Sequence, residues 1–168
     1  MDPQITGFES NRRIILVGVR ANLLEGLDPL FKLEEQARSQ FVGVRLSNIY
    51  RAVKSSGTER WLAELWAVLR FDSDRSMDEL LAWAEGCRNE NLVLKILTYG
   101  SRVELNPRHP FPHPDLRRER IFVQCAAEVE PSFIHPILGQ TLLQLVNSDR
   151  RSIMADFFAQ GLNLHSSG

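Results

Sequence analysis

The run Ile14 to Val19 constrains this chain most. It is continuously apolar, follows Arg12-Arg13 and ends at Arg20-Ala21-Asn22, which is the pattern of a short strand buried at the centre of a sheet. The segments after it supply the remaining elements. Leu27 to Arg38 places Leu27, Leu30, Phe31 and Ala37 near helical spacing, with Pro29 early enough to sit in a first turn and Glu34-Glu35 outward. Phe41 to Tyr50 alternates Val42, Val44 and Leu46 against Gly43, Arg45 and Ser47, the period of one strand with one wet face. Lys54-Ser55-Ser56-Gly57-Thr58 reads as a loop.

Trp61 to Phe71 sets Trp61, Ala63, Leu65, Ala67, Leu69 and Phe71 on one parity against Glu64 and Arg70, which favours a strand over a helix. Ser76-Met77-Asp78-Glu79 has the spacing of a capping box, and Met77, Leu80, Leu81 and Ala84 follow at helical intervals before Gly86. Leu92 to Tyr99 is a further strand, closed by Gly100-Ser101, with Arg102 to Leu105 as a short hairpin partner. The order βαββαβ suits an α+β, ferredoxin-like antiparallel sheet with both helices of the motif on one face; a proline-rich stretch and further C-terminal helices come after it.

The chain has 168 residues, 43% of them hydrophobic, enough for one domain with a core over about 12–147 and flexible termini. No apolar run reaches the roughly 18 residues of a membrane span, and Met1-Asp2-Pro3-Gln4 opens no export signal, so the expectation is a cytoplasmic protein that does not engage membranes. Cys87 and Cys125 lack a Cys-x-x-Cys spacing and read as buried free thiols. With 20 basic and 21 acidic residues the surface does not coat nucleic acid, but only Lys32, Lys54 and Lys95 are lysines, and the arginine fork suits phosphate and carboxylate.

Neither Gly-x-x-x-x-Gly-Lys nor Gly-x-Gly-x-x-Gly occurs, so a nucleotide site must use side chains. There is no Gly-x-Ser-x-Gly elbow, and no cysteine lies beside a histidine. His109 and His113 are four apart, but Pro110, Pro112 and Pro114 prevent the helix that would aim both at one metal. The richest segment is Arg108 to Val123, where Arg108, His109, His113, Arg117, Arg118 and Arg120 precede an apolar helix. It reads either as a solvated charge run or as a stiffened anion-binding loop.

Pro112-His113-Pro114, Arg120-Ile121-Phe122-Val123, Glu128-Val129-Glu130-Pro131 and His135-Pro136-Ile137-Leu138-Gly139 together resemble the C-terminal signature of the 6-hydroxymethyl-7,8-dihydropterin pyrophosphokinase (HPPK) family of folate biosynthesis, with one extra residue between His113 and Arg120. Upstream, Ile15-Leu16-Val17-Gly18 with Asn22-Leu23, Leu46-Ser47-Asn48-Ile49-Tyr50 and Leu97-Thr98-Tyr99-Gly100 are similar in the same order. The resemblance implies the ferredoxin-like fold and pyrophosphoryl transfer from ATP to a hydroxymethylpterin, assisted by two magnesium ions on an Asp-x-Asp pair. The matching positions here are Val93 and Lys95, neither a magnesium ligand. The family's arginine-rich catalytic loop has no counterpart between Cys87 and Leu92, where the chain is about a dozen residues short.

The resemblance places Arg108, His113, Arg118 and Arg120 on the nucleotide side, with Arg117 able to assist, and Phe122 and Trp66 at the pterin slot. Trp66 stands where the family has an asparagine, and Ala52-Val53 replaces its proline turn. These departures imply a catalytically degenerate homologue that acts as a binding or regulatory protein, with no resident metal and with ATP and magnesium relevant only if it is active. An active kinase would need carboxylates from elsewhere, such as Asp72, Asp74 or Glu90. A protein-interaction module would use a sheet face or Trp61, Trp66 and Trp83, residues that read more readily as ordinary core.

Overall fold

A computed structural model of the chain describes residues 12–53, 61, 63–153 and 155–161. The central run becomes β1 (Arg13–Asn22), longer than its apolar part because it pairs along its whole length with β4 (Ala63–Ser73). On its other side lies β5 (Leu92–Tyr99). β2 (Val42–Leu46) and β3 (Ile49–Val53) both pair with the far edge of β4, and β6 (Ala155–Ala159) adds to β3. Every pairing is antiparallel, in the order β5-β1-β4-β3-β6 with β2 beside β4.

Helices cover both faces. α1 (Asp28–Gln40), with its proline in the first turn as expected, and α2 (Met77–Cys87), started by the Ser76–Glu79 capping box, bury Leu30, Leu33, Leu80 and Trp83 against Ile15, Val17 and Val19. Phe41 stacks on Phe71 with centroids 4.0 Å apart, and Trp83 stands edge-on to both. The opposite face carries Leu16, Val68 and Leu97, covered by α3 (Asp115–Arg118), α4 (Arg120–Val129) and α5 (Leu142–Ser148). The architecture is therefore the expected α+β antiparallel sheet, with the motif helices on one face and the C-terminal helices on the other.

Four local expectations are corrected. Glu34, expected to face outward, is buried at 1% exposure, with Arg38 one turn on at 3.6 Å. Phe41 to Tyr50 is two strands, because the Ser47 side chain interrupts the ladder: Ser47 N–H donates to Val68 O at 2.9 Å while Val68 N–H donates to Ser47 Oγ at 2.8 Å. Arg102 to Leu105 forms no hairpin strand; only Glu104 bridges, to Phe111. Gly86 does not end α2, which runs on to Cys87. The Lys54–Thr58 loop lies outside the described residues. Cys87 and Cys125 are free thiols; Cys125 is buried as expected, but Cys87 is only half-buried, and burial pushes both upward in pKa, Cys125 far upward. Among the described residues no helix is long and apolar enough to cross a membrane.

Candidate functional site

The site lies on the sheet face under α3 and α4, where β1, β4 and β5 run side by side. Strand alternation sets Val93 and Lys95 on this face, and Gly18 of β1 lies opposite both Lys95 and Val68. The missing side chain at Gly18 leaves a hollow that Phe122 of α4 fills: a Cβ at Gly18 would come within 2.8 Å of the Phe122 ring. Trp66 of β4 packs beside it, with ring centroids 4.7 Å apart. Phe122 is only 2% exposed, with its ring edge against Gly18 and its ring tilted against Trp66, so the two residues expected at the pterin slot pack on each other. The Arg20 guanidinium sits 5.5 Å from the Trp66 ring centre and pairs with the buried Glu64 at 3.3 Å. Trp66 Nε1 is buried with no hydrogen-bond partner among the described residues.

The charged half of the site is built around Asp115. His113 N–H donates to Leu97 O at 2.7 Å, which fastens the proline-rich loop to β5 and starts α3 over the end of the sheet. The Asp115 carboxylate, buried at 8% exposure, is met by Lys95 Nζ at 2.6 Å, Arg118 at 3.7 Å and His113 Nδ1 at 3.9 Å. Asp115 N–H donates to His113 Nδ1 at 3.0 Å, so a neutral imidazole here carries its proton on Nε2. Burial lowers the His113 pKa; the Asp115 charge opposes this, and Lys95 and Arg118 add to it.

Of the expected nucleotide-side residues, the fold thus joins His113 and Arg118 through Asp115. Arg120 is turned away, reaching Asp149 at 3.6 Å and donating to Gln124 Oε1 at 3.4 Å. Arg108 is exposed in the preceding loop, where its main-chain N–H donates to Asn106. Asp115 itself, and the acidic pair of the signature, gave no sequence signal of their roles. Glu128 accepts from Tyr50 Oη, Asn48 N–H, Asn48 Nδ2 and Gln124 Nε2, and Glu130 accepts from Arg70 at 3.0 Å. These contacts tie α4 to the strands, and burial together with Glu128 drives the Tyr50 phenol far above its ordinary pKa. Trp61 and Trp83 are each 8% exposed and belong to the interior, whereas Trp66 is half-buried.

Magnesium requires hard oxygen ligands. Val93 offers none, and Lys95 brings its own positive charge to the remaining position and consumes the neighbouring carboxylate. Among the described residues no group of three or more His, Cys, Asp or Glu is arranged to hold a metal ion. The alternative carboxylate Asp72 is held by Arg70 at 2.7 Å and pairs across β1 with Ile14, several residues along the strand from Gly18 and Lys95. The residues present therefore do not fit a magnesium pair.

No family model matches the chain, and no curated relative does. Solved structures of Plasmodium falciparum HPPK-DHPS do match. The wild-type protein with pterin and p-hydroxybenzoate superposes with a TM-score of 0.62 at 8% identity, and a triple mutant with pteroate with 0.62 at 9%; each match covers 81% of this chain and 43% of that one. A further wild-type structure gives 0.58 at 9% identity, over 81% and 44%. At this identity the likeness defines a fold: the chain has an HPPK-like α+β fold. It spans less than half the length of the chains it matches.

Proposed function

We propose that this chain is a non-catalytic homologue on the HPPK fold, a binding or regulatory protein for a small nucleotide-like or pterin-like molecule. One observation carries the reading: Lys95 Nζ, 2.6 Å from Asp115, stands where the resembling family holds a metal-binding carboxylate. In-line phosphoryl transfer depends on cations that neutralise charge developing on the transferred group and on donors aimed at it. A lysine already neutralised by a buried aspartate supplies neither a metal seat nor a free positive charge. The burial of Phe122 between Gly18 and Trp66 supports the same reading, because a stacked pterin would have to displace a packed ring. The pterin and pteroate named with the similar structures keep that chemical class in view, while Arg118 and His113 favour an anionic ligand.

Soaking crystals with magnesium and a non-hydrolysable ATP analogue tests this reading. The expected outcome is no ordered metal between phosphates and a carboxylate. A magnesium ion coordinated by Asp115 or by any other carboxylate of the chain, bridging to the phosphates, overturns it.

A further inference from the structure

A second concavity lies between α3, the 135–140 turn and α5, with a volume of about 800 Å³. Small-molecule sites commonly have this size. Val123, Ile137, Leu138 and Leu145 give it an apolar wall. Its polar lining is mostly basic, with Arg117, Arg118, Arg150, Arg151, His113 and His135 beside Gln140, Ser148 and Asp149. The facing carboxylate is that of Asp149, and it is already engaged. Arg151 forks onto it at 2.7 Å, Arg120 approaches at 3.6 Å, and these contacts hold its pKa down at about 2. Arg151 also donates to the carbonyls of Arg117 and Arg118, both at 2.6 Å, so its role is to close the carboxyl end of α3.

The other groups are not spent in this way. The Arg117 and Arg150 side chains make no hydrogen bond or ion pair among the described residues, and Arg118 has only its 3.7 Å approach to Asp115. His135 is 5% exposed, and its Nδ1 accepts the N–H groups of Ile137 and Leu138 at 3.3 and 3.2 Å. Its neutral form therefore carries the proton on Nε2, which has no partner among the described residues. The cleft thus combines unpaired guanidinium forks and a buried imidazole donor with an apolar wall. Guanidinium groups so placed match the oxygens of a phosphate.

We propose that this cleft binds an organic phosphate monoester, its phosphate received by Arg117, Arg150 and His135 and its apolar ring or chain laid against Ile137, Leu138 and Leu145. The cleft shares His113 and Arg118 with the Lys95–Asp115 cluster, but its phosphate-receiving groups, Arg117, Arg150 and His135, lie outside that cluster and need no metal, so variants at these positions test it apart from the reading of that cluster. Calorimetric titration of the whole chain with phenyl phosphate, inorganic phosphate and phenol tests it. Phenyl phosphate is expected to bind about tenfold or more tightly than either fragment, and Arg117→Ala and Arg150→Ala each to weaken it by about tenfold with unchanged thermal midpoints. Leu138→Asp is expected to abolish the advantage of phenyl phosphate over inorganic phosphate. Equal affinity for phenyl phosphate and inorganic phosphate, or binding unaltered in both arginine variants, overturns the proposal.

Discussion

The Asp115 carboxylate is buried among three basic side chains, and removing its nearest one leaves a charge that burial penalises. Lys95 is itself more than a third exposed, which screens the pair, so Lys95→Met is expected to cost only about 1 kcal/mol in urea denaturation. Lys95→Asp, which sets a second carboxylate against Asp115, is expected to cost more than Lys95→Met in the same measurement. At Gly18 the constraint is steric. Gly18→Ala puts a Cβ 2.8 Å from the Phe122 ring, and overpacking of this kind costs about 1–3 kcal/mol. In a Phe122→Leu background the same change is expected to cost measurably less, and a double-mutant cycle that shows additivity would contradict the contact. Both positions were marked in the sequence, Lys95 by a family pattern it breaks and Gly18 by its place in an apolar run. What they touch was not legible, because Asp115 and Phe122 are brought to them by helices distant in sequence.

At the scale of elements, periodicity located β1, β4, β5 and α1 because each has one or two buried faces whose repeat shows in the residues. α2 was legible through its cap as well, since Ser76 and Glu79 act locally. The break between β2 and β3 was not, because it depends on a side chain replacing a main-chain partner across the sheet. Ser47→Ala removes the acceptor for the buried Val68 N–H and is expected to cost about 1–3 kcal/mol, read by denaturation, with faster amide exchange at Val68. β6 escaped the sequence reading for a related reason: Ala155–Ala159 shows no clean alternation, and its pairing with β3 alone makes it a strand. The carboxyl-terminal signature contains Glu128 and Glu130 without assigning either a role, and in the fold they fasten α4 onto β3 and β4. A motif records which residues occur together and does not separate those that hold the site from those that fill it.

For the whole molecule, one buried and one half-buried imidazole make stability depend on pH. His113 and His135 both have pKa values lowered in the fold, in each case chiefly by burial, with the Arg117 charge adding at His135. The unfolded chain therefore takes up protons first as pH falls. Their contribution is complete above the ordinary histidine value of about 6.5 and is lost as pH falls through the lowered folded values. Thermal midpoints are expected to drop as pH falls below about 6.5, less steeply in His135→Gln; a flat profile in the unaltered chain would contradict the burial of these rings. The overall α+β architecture followed from the order of short apolar runs and capped helices, and the comparison with HPPK-DHPS structures agrees with it at the level of fold. The two faces of that sheet serve different ends: one is closed core under α1 and α2, and the other brings Lys95, Asp115 and His113 together. The central claim is that this second face binds without transferring phosphate. The most direct measurement is AMP release from ATP with 6-hydroxymethyl-7,8-dihydropterin and magnesium, using the protein in excess over the pterin and His113→Ala alongside. No AMP above the protein-free control is expected; AMP formed in proportion to pterin and abolished in His113→Ala would contradict a non-catalytic role.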